Sequence, residues 1–401
     1  MLQRVFKSFQ YRDFRLMWIG ACLSSVGTWM QQVAEAWLIY RLSHNAFYLA
    51  LDPVLNTIPI FLFSLVGGVV ADRMERRHVL TGSQYVQMAC AFFLTALLAV
   101  NRIHVWEILT SSFICGFAQA FGGPAYSALI PTLVDKEDMP NAIALNSMQF
   151  NAAVMIGPAI SAAVLAKIGE VWCFGLNGIS FFAPVIALAM LKVRFAPVKT
   201  GESVMQSMKQ GIKFIRRQGA MQGLIILGFA MTFFFIPMRT FLPVFAKDIF
   251  HKGAGTYAMF QSITGAGSIV GALTIASMGN FRKKGLLALL GLASLGATAV
   301  VFAASRFLPV SYLALFLSGA FMMVVFASVS SLVQLIVTNE MRGRVMSVYN
   351  FSFRGGMTLG NLASGWLVPV FTAPLVVLGN GALLVALAVY FALAQRSVAE
   401  L

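Results

Sequence analysis

Long apolar runs separated by short polar connections dominate this chain. A helix needs roughly 20 mostly apolar residues to cross a bilayer core, and twelve stretches meet that requirement. The pattern predicts an all-α integral membrane protein with an even number of spans, so both termini lie on one side. The predicted spans cover approximately residues 14–40, 47–71, 79–100, 105–132, 140–166, 172–191, 221–246, 255–279, 286–304, 309–337, 345–371 and 374–395.

One polar connection, residues 193–220, is much longer than the others and separates six spans from six. Apolar and basic positions recur in it at helical spacing, which predicts an amphipathic helix on the inner membrane surface, near anionic headgroups. We therefore predict a six-helix bundle over 1–192, a linker over 193–220 and a second six-helix bundle over 221–401. The positions concerned are Val204, Met208, Ile212 and Ile215 on the apolar side and Lys209, Lys213 and Arg216 on the basic side.

The distribution of lysine and arginine predicts the orientation. With a cytoplasmic N-terminus, the cytoplasmic segments hold 21 of the 29 basic residues and the opposite loops hold six. Positive residues concentrate on the cytoplasmic side, so both termini are expected there. The net charge of +15 then reflects topology, and we expect no nucleic-acid partner.

Composition identifies lipid as the solvent and disfavours several chemistries. Charged residues make up 11% of the 401 residues, against about 25% in soluble domains. The four cysteines lie singly in apolar runs and the four histidines lie in loops or at span ends, so we expect no disulfide and no metal. The sequence has no GxxxxGK[ST] phosphate loop, which argues against direct ATP drive. We expect no cofactor.

The two halves echo each other, and one motif carries a family resemblance. NAIALNSMQFN (141–151) and GRVMSVYNFSFR (343–354) both follow a charged turn, as in the internal repeats of secondary transporters. GGVVADRMERR (67–77) resembles the signature loop of the major facilitator superfamily. The segments 141–159 and 339–366 resemble its bacterial branch of enterobactin exporters and macrolide-efflux proteins, which are drug:proton antiporters.

The resemblance implies the major facilitator fold, with 12 transmembrane helices in two pseudo-symmetric bundles. It also implies alternating access around a cavity lined mainly by spans 1, 4, 7 and 10. The expected function is export of an amphipathic small molecule, such as a drug or siderophore, driven by proton entry. The expected setting is a monomer in the bacterial inner membrane. A lipid or lysolipid flippase and an importer remain alternatives, whereas a receptor or an enzyme is disfavoured because no nucleophile–base pair stands out.

Two carboxylates near the outer ends of the first two spans are the candidates for proton coupling. Glu35 shares a helix face with Gln31, and Asp52 precedes Pro53. Ionised groups inside a membrane usually face a cavity or a partner. Glu35 could instead lie at headgroup level near Arg41, and Asp52 could be a helix N-cap. If the two share a vestibule, their repulsion would favour proton binding by one of them.

Further candidates lie deeper in the spans. Arg239, between two prolines in span seven, could pair with a carboxylate of the first half, bind an anionic substrate group, or snorkel to the headgroups. Arg354, near the middle of span eleven, is expected in the interior with a carboxylate or backbone partner. Gln119 and Tyr126 in span four are candidate substrate contacts, although core packing explains a single aromatic residue better.

The resemblance assigns two more sets of residues. Gly157 and Pro158 resemble the helix-packing antiporter motif, although Ala144, Ala153 and Ser161 stand where that motif has glycine. In the loop after span two, the resemblance makes Gly68 a packing point against span eleven and Asp72 a partner for charges there. Asn280 replaces that carboxylate in the second half. The predicted cytoplasmic gate consists of Gly68, Asp72, Arg73, Arg76, Arg77, Arg342 and Arg344.

Overall fold

The computed structural model describes residues 6–191, 204–278, 283–338, 341–394 and 398. These residues form helices joined by short connections and contain no strand, which confirms the all-α class. The chain divides into two compact units. The first consists of Met1–His44 and Asp52–Gly201, and the second of Asn45–Leu51 and Glu202–Leu401.

Among the described residues before the linker, seven helices form, and a 3-10 turn, Lys7–Gln10, comes before them. The sixth predicted span is divided in two at Phe181, where the helix is interrupted. The seven helices are α1 (Arg12–Ser43), α2 (Ala46–Arg73), α3 (Arg76–Ala99), α4 (Val105–Leu129), α5 (Met139–Lys167), α6 (Glu170–Ser180) and α7 (Phe182–Met190).

Seven more helices follow residue 203, and the first of them is the predicted linker helix. The seventh predicted span is irregular, since its helix ends at Thr240 and continues as a turn, Leu242–Val244, and a π-helix, Phe245–Ile249. The seven helices are α8 (Val204–Arg216), α9 (Gly219–Thr240), α10 (Ala254–Met278), α11 (Lys284–Ala304), α12 (Leu308–Ile336), α13 (Arg342–Phe371) and α14 (Ala373–Ala394).

Ten helical stretches of the described residues have the length and hydropathy of a membrane span. The helices α1 and α13, with 32 and 30 residues, are long enough but lie outside this group. Charged and polar side chains such as Arg12, Glu35, Arg41 and Arg354 lower their hydropathy. The count of twelve spans therefore stays a prediction.

Glycines bring equivalent helix pairs together in both units. A Cβ on Gly116 of α4 would lie 2.0 Å from the carbonyl oxygen of Asn56 in α2. In the second unit, a Cβ on Gly319 of α12 would lie 2.0 Å from the carbonyl oxygen of Thr264 in α10. Small residues allow such close approach of helix backbones. Each contact falls at the same depth in its helix pair, so these two contacts define an internal register.

The pairs α1–α5 and α9–α13 show the same correspondence. A Cβ on Gly157 would lie 3.0 Å from Val26 O, and one on Gly360 would lie 2.1 Å from Phe233 O, where each carbonyl belongs to the fifteenth residue of its helix. Pro158 is buried beside Gly157 inside α5. This geometry is what a packing role for the Gly157–Pro158 pair requires. It extends the register to the first helix pair of each unit.

Candidate functional site

Two carboxylates of the first unit converge on one serine hydroxyl. Ser112 Oγ lies 2.8 Å from Glu35 Oε1 and 2.5 Å from Asp52 Oδ1. Glu35 and Ser112 are buried, with exposed fractions of 7% and 5%, and Asp52 is partly buried. At a rise of 1.5 Å per residue, each stands about 9 to 12 Å from the nearer end of its helix. We call these three side chains, from α1, α2 and α4, the carboxylate site.

Amides on neighbouring helices hold the carboxylate site in place. Gln31 Nε2 donates to Glu35 Oε2 at 3.3 Å, and Asn177 Nδ2 of α6 donates to Gln31 Oε1 at 2.7 Å. Asn56 Nδ2 donates to the backbone carbonyl of Ser112 at 3.1 Å. The polar network therefore connects four helices of the first unit, and its central side chains are oriented by hydrogen bonds rather than by packing alone.

The hydrogen-bond count at Ser112 constrains the protonation of the site. A serine hydroxyl carries one proton, whereas an ionised carboxylate can only accept. Both short contacts of Ser112 are hydrogen bonds only when one of the two carboxyls holds a proton. A proton on either carboxyl satisfies every contact: the protonated carboxyl donates to Ser112, Ser112 donates to the other carboxylate, and Glu35 Oε2 accepts from Gln31 in both cases.

The structure bears on the surroundings of both carboxylates. Arg41, the charge that follows Glu35 in the sequence, forms an ion pair with Glu170 at 2.9 Å. The N-cap interpretation of Asp52 is wrong, because α2 already begins at Ala46 and Asp52 lies in its second turn. Ser112 was not predicted from the sequence, since a serine in an apolar span gives no signal until three helices are placed together.

The internal register shows what replaces the carboxylate site in the second unit. Gln32 lies six residues after Val26, and Arg239 lies six residues after Phe233, which makes the equivalent backbone contact. The equivalents of Asp52 and Ser112 are buried and apolar. The correspondences are Gln32 with Arg239, Asp52 with Phe260, and Ser112 with Leu315.

Arg239 has an amide rather than a carboxylate as its described partner. Its Nη2 donates to Gln261 Oε1 at 3.2 Å, and Gln261 Nε2 donates to the hydroxyl of Tyr257 at 3.3 Å. The side chain is partly buried. Pro237 lies within α9 two residues earlier, and α9 ends at Thr240. The predicted helix break around Arg239 is therefore present in the structure.

The predicted carboxylate partner of Arg354 is not found among the described residues. Its side chain is exposed and forms no ion pair there. Gly356 and Gly360 pack closely on α9, and Arg354 projects from the opposite face of α13. Asn350 and Ser347 are exposed on that same face, one and two turns earlier. This face of α13 thus carries a row of polar side chains, and the interior position of Arg354 stays a prediction.

The candidates in span four have different surroundings. Gln119 is exposed, whereas Tyr126 is partly buried and donates to Asn146 Oδ1 of α5 at 2.6 Å. Phe117 and Phe121, on the same helix, are tilted at 57° with their ring centroids 5.1 Å apart. Gln119 lies two residues from each of them, so the amide and the aromatic pair occupy opposite faces of α4.

Comparison with known proteins identifies the family of this chain. The sequence profile of the transmembrane secretion effector family, a branch of the major facilitator superfamily, matches residues 4–400. The chain belongs to this family. It is 23% identical over 281 residues to macrolide efflux protein A of Streptococcus pyogenes, covering 68% of each chain. It is 26% identical over 285 residues to the enterobactin exporter EntS of Escherichia coli, covering 69% of this chain and 66% of the exporter.

Solved structures agree on the fold. A bacterial homolog of the human lysosomal transporter Spinster superposes with a TM-score of 0.76 at 13% identity, covering 96% of this chain and 97% of that one. The nucleoside transporter NupG superposes with a TM-score of 0.72 at 16% identity, covering 95% and 98%. The predicted superfamily and fold are confirmed, and this secretion effector is a multi-pass membrane transporter rather than an enzyme.

The arginines of the signature loop bind helix ends inside the first unit. Arg76 donates to the carbonyl of Ala128 at 3.0 Å, and Arg77 donates to the carbonyl of Ala189 at 2.9 Å. These carbonyls lie in the last turns of α4 and α7, where the helix dipole favours positive charge. The loop arginines therefore stabilise two helix C-termini in addition to any effect on topology.

Gly67 is the close-packing glycine of the signature loop within the first unit. A Cβ on Gly67 would lie 2.2 Å from Ala120 O of α4, whereas one on Gly68 would meet no described atom within 4 Å. The family resemblance did not single out Gly67, and the predicted packing of Gly68 against span eleven stays a prediction. The side chains of Asp72 and Arg73, like residue 280, lie outside the described part of the structure.

The remaining predicted gate residues lie at the start of α13. Arg342 is exposed and lines an open cleft of about 460 Å³ against α12, together with Ser330 and Gln334. Arg344 is partly buried, and its carbonyl oxygen would lie 2.7 Å from a Cβ on Gly211 of the linker helix. The linker helix α8 is thus packed directly on α13.

A polar cluster beside α5 was not predicted from the sequence. Asp138, immediately before α5, forms an ion pair with Lys7 at 2.7 Å and accepts from Gln10 at 3.0 Å. The hydroxyl of Tyr11 lies 2.9 Å from an oxygen of Asp138 and 2.9 Å from one of Asp135. Lys7 holds the pKa of Asp138 below its usual range, and partial burial with the two carboxylates raises the pKa of Tyr11 to about 12.

Proposed function

We propose that this secretion effector exports an amphipathic small molecule in exchange for protons, and that the carboxylate site is its proton carrier. The observation that carries the proposal is the contact of two carboxylates with one buried hydroxyl. Such a site binds one proton readily, because two ionised carboxylates at this separation repel each other strongly. Intramembrane carboxylates of this kind are typical of proton relays in transporters.

The proton would act on the packing of three helices. With one proton, Asp52, Ser112 and Glu35 form a continuous hydrogen-bonded chain across α1, α2 and α4. Without it, one hydroxyl proton is left for two negative groups, and their repulsion favours a wetter and more open arrangement. Loading and release of a proton therefore alternately tighten and loosen the helices that carry the site. This is a bistable element of the kind that alternating access requires.

The substrate class follows from the relatives and from α4. The relatives are named for macrolide efflux and for enterobactin export. In this chain the Phe117–Phe121 pair of α4 supports a molecule with aromatic or other apolar surface. We place the transporter in the bacterial inner membrane with both termini in the cytoplasm, on the basis of its lysine and arginine distribution.

The test is transport by purified protein in proteoliposomes, with a macrolide and enterobactin as probes. In the wild type, a proton gradient should drive concentrative transport of at least one probe. Glu35→Gln should abolish concentrative transport but keep exchange of labelled for unlabelled probe, because a neutral side chain mimics the protonated state. Ser112→Ala should reduce coupled transport about tenfold, since hydrogen bonds to charged groups contribute about 1.5–3 kcal/mol.

Glu107→Gln is the matched control. Glu107 is another buried carboxylate of α4, but it caps the helix through the backbone N–H of His104, a contact that glutamine can also make. This variant should keep coupled transport. Unchanged proton-coupled transport in Glu35→Gln would contradict the assignment. Translocation of a fluorescent lysophospholipid that survives Glu35→Gln would favour the flippase alternative.

A further inference from the structure

Arg239 carries a charge inside the second unit without a counter-ion among the described residues. It stands ten residues before the end of the helical run Gly219–Ile249, or about 15 Å from that end. Its Nε is inaccessible to solvent and has no hydrogen-bond partner in the described part of the chain. Charges at such depth are normally paired or face a path for ions or substrate.

The described neighbours of Arg239 orient it without neutralising it. Gln261 accepts from Nη2 of the guanidinium, and its own amide nitrogen donates to the buried hydroxyl of Tyr257, which fixes the orientation of the amide. On the adjoining turn, Thr240 donates to Asn361 Oδ1 of α13 at 2.9 Å and anchors the end of α9. A guanidinium has five N–H donors in a rigid fork, and the amide occupies only part of that fork.

A comparison within the same unit separates this arrangement from a snorkelling arginine. Arg306 lies in the connection after α11, is exposed, and donates to the carbonyls of Ala303 and Ser305 at 3.1 Å and 3.0 Å. Those are the contacts of a cation at a helix end. Among the described residues, the Arg239 side chain makes no such contact to a helix-end carbonyl and instead stands beside a break in its own helix, where irregular turns often mark ligand sites.

We propose that Arg239, oriented by Gln261, binds a carboxylate or similar anionic group of the transported molecule. A guanidinium fork matches a carboxylate through two parallel N–H···O bonds, which gives both affinity and geometric selection. This assignment names the substrate class as amphipathic acids, and it rests on the proposed transport of amphipathic molecules.

The experiment compares an amphipathic acid with its neutral ester. Fusidate and fusidic acid methyl ester share one apolar skeleton and differ in a single charge. Their binding is measured by calorimetry on full-length protein in phosphatidylcholine nanodiscs, without a proton gradient, so its outcome is independent of the proton-coupling test. The wild type should bind the acid about tenfold or more tightly than the ester.

Variants then test whether Arg239 and Gln261 cause the preference for the acid over the ester. Arg239→Gln should bind acid and ester equally, Gln261→Ala should narrow the difference, and Arg306→Gln should keep the full preference. A role of Arg239 in folding alone would lower both affinities together. Equal binding of acid and ester by the wild type, or an undiminished preference in Arg239→Gln, would overturn the proposal.

A second lipid composition separates the substrate from a lipid headgroup as the source of the anion. The measurement is repeated with phosphatidylglycerol added to the nanodiscs. A preference for fusidate that persists supports a subsite for the transported acid. A preference that disappears in the wild type when phosphatidylglycerol is present assigns Arg239 to an anionic lipid and overturns the substrate assignment. If Arg239→Gln does not fold, Gln261→Ala and the wild-type comparison still decide the outcome.

Discussion

At the scale of single residues, Ser112 determines how the two carboxylates can share a proton. Its hydroxyl is the one group in contact with both Glu35 and Asp52 among the described hydrogen bonds. The sequence indicated Glu35 because a charge stands out in an apolar helix, and it indicated Gln31 because helical spacing fixes their shared face. Ser112 gives no comparable signal, since serine is common in membrane helices and its role depends on the placement of three helices.

Asp138 provides a prediction about pH. Lys7 lowers the folded-state pKa of Asp138 below the unfolded value of about 3.9. Its contribution to stability is therefore present above that unfolded value and is lost as the pH falls through the folded pKa. We expect the unfolding temperature of the wild type in detergent to decrease as the pH is lowered below 4. Asp138→Asn should have a lower unfolding temperature at pH 7, and that temperature should change less as the pH falls.

The exposed neighbour Glu137 supplies the control for this prediction. Glu137→Gln should follow the wild-type curve, because it leaves the Lys7–Asp138 ion pair intact. If Asp138→Asn loses as much stability between pH 7 and pH 3 as the wild type does, the ion pair does not link the N-terminal turn to α5 in the way described.

At the scale of helices, the pair Gly67 and Gly68 gives a prediction with its own control. A methyl group on Gly67 would overlap the backbone oxygen of Ala120, whereas one on Gly68 would meet no described atom. Gly67→Ala should lower the free energy of unfolding by about 1–3 kcal/mol, the usual cost of overpacking. Gly68→Ala should be neutral or stabilising by up to about 1 kcal/mol, because alanine favours a helix. Thermal or denaturant unfolding in detergent distinguishes the two.

The reverse order of these effects would contradict the packing of α2 on α4. A Gly68→Ala variant that unfolds more easily than Gly67→Ala would support the close-packing role that the family resemblance gave to Gly68. The motif alone could not choose between two adjacent glycines, because neighbouring residues of a helix point about 100° apart and the sequence does not fix which one faces α4.

The linker helix illustrates what a hydrophobic pattern can and cannot predict. Its amphipathic character and position followed from the spacing of apolar and basic residues, and α8 forms there. The pattern did not say what covers the apolar side. The structure buries Gly211 and Ile215 and leaves Lys209 and Lys213 exposed, with Gly211 packed on α13. Glycine is only weakly hydrophobic, so Gly211, which approaches α13 most closely, was absent from the predicted apolar face.

At the scale of the whole molecule, internal repetition preserves the fold while the chemistry diverges. Equivalent glycine contacts join α2 to α4 and α10 to α12, which keeps the same packing in both units. Phe260 and Leu315 replace Asp52 and Ser112 in the second unit, where the charged side chain, Arg239, stands at the position of Gln32. The apolar pattern was sufficient to predict the two-part chain, because every repeat must satisfy the same membrane. The division of charges was visible only after the register was known.

The most direct measurement of the central proposal counts protons. Purified transporter in weakly buffered detergent is mixed with a macrolide or enterobactin, and proton release is followed with a pH indicator. We predict release of about one proton per bound molecule by the wild type and by Glu107→Gln, and none by Glu35→Gln or Asp52→Asn, because the carboxylate site exchanges its proton when substrate binds. Unchanged proton release by both carboxylate variants, with substrate binding retained, would contradict the account.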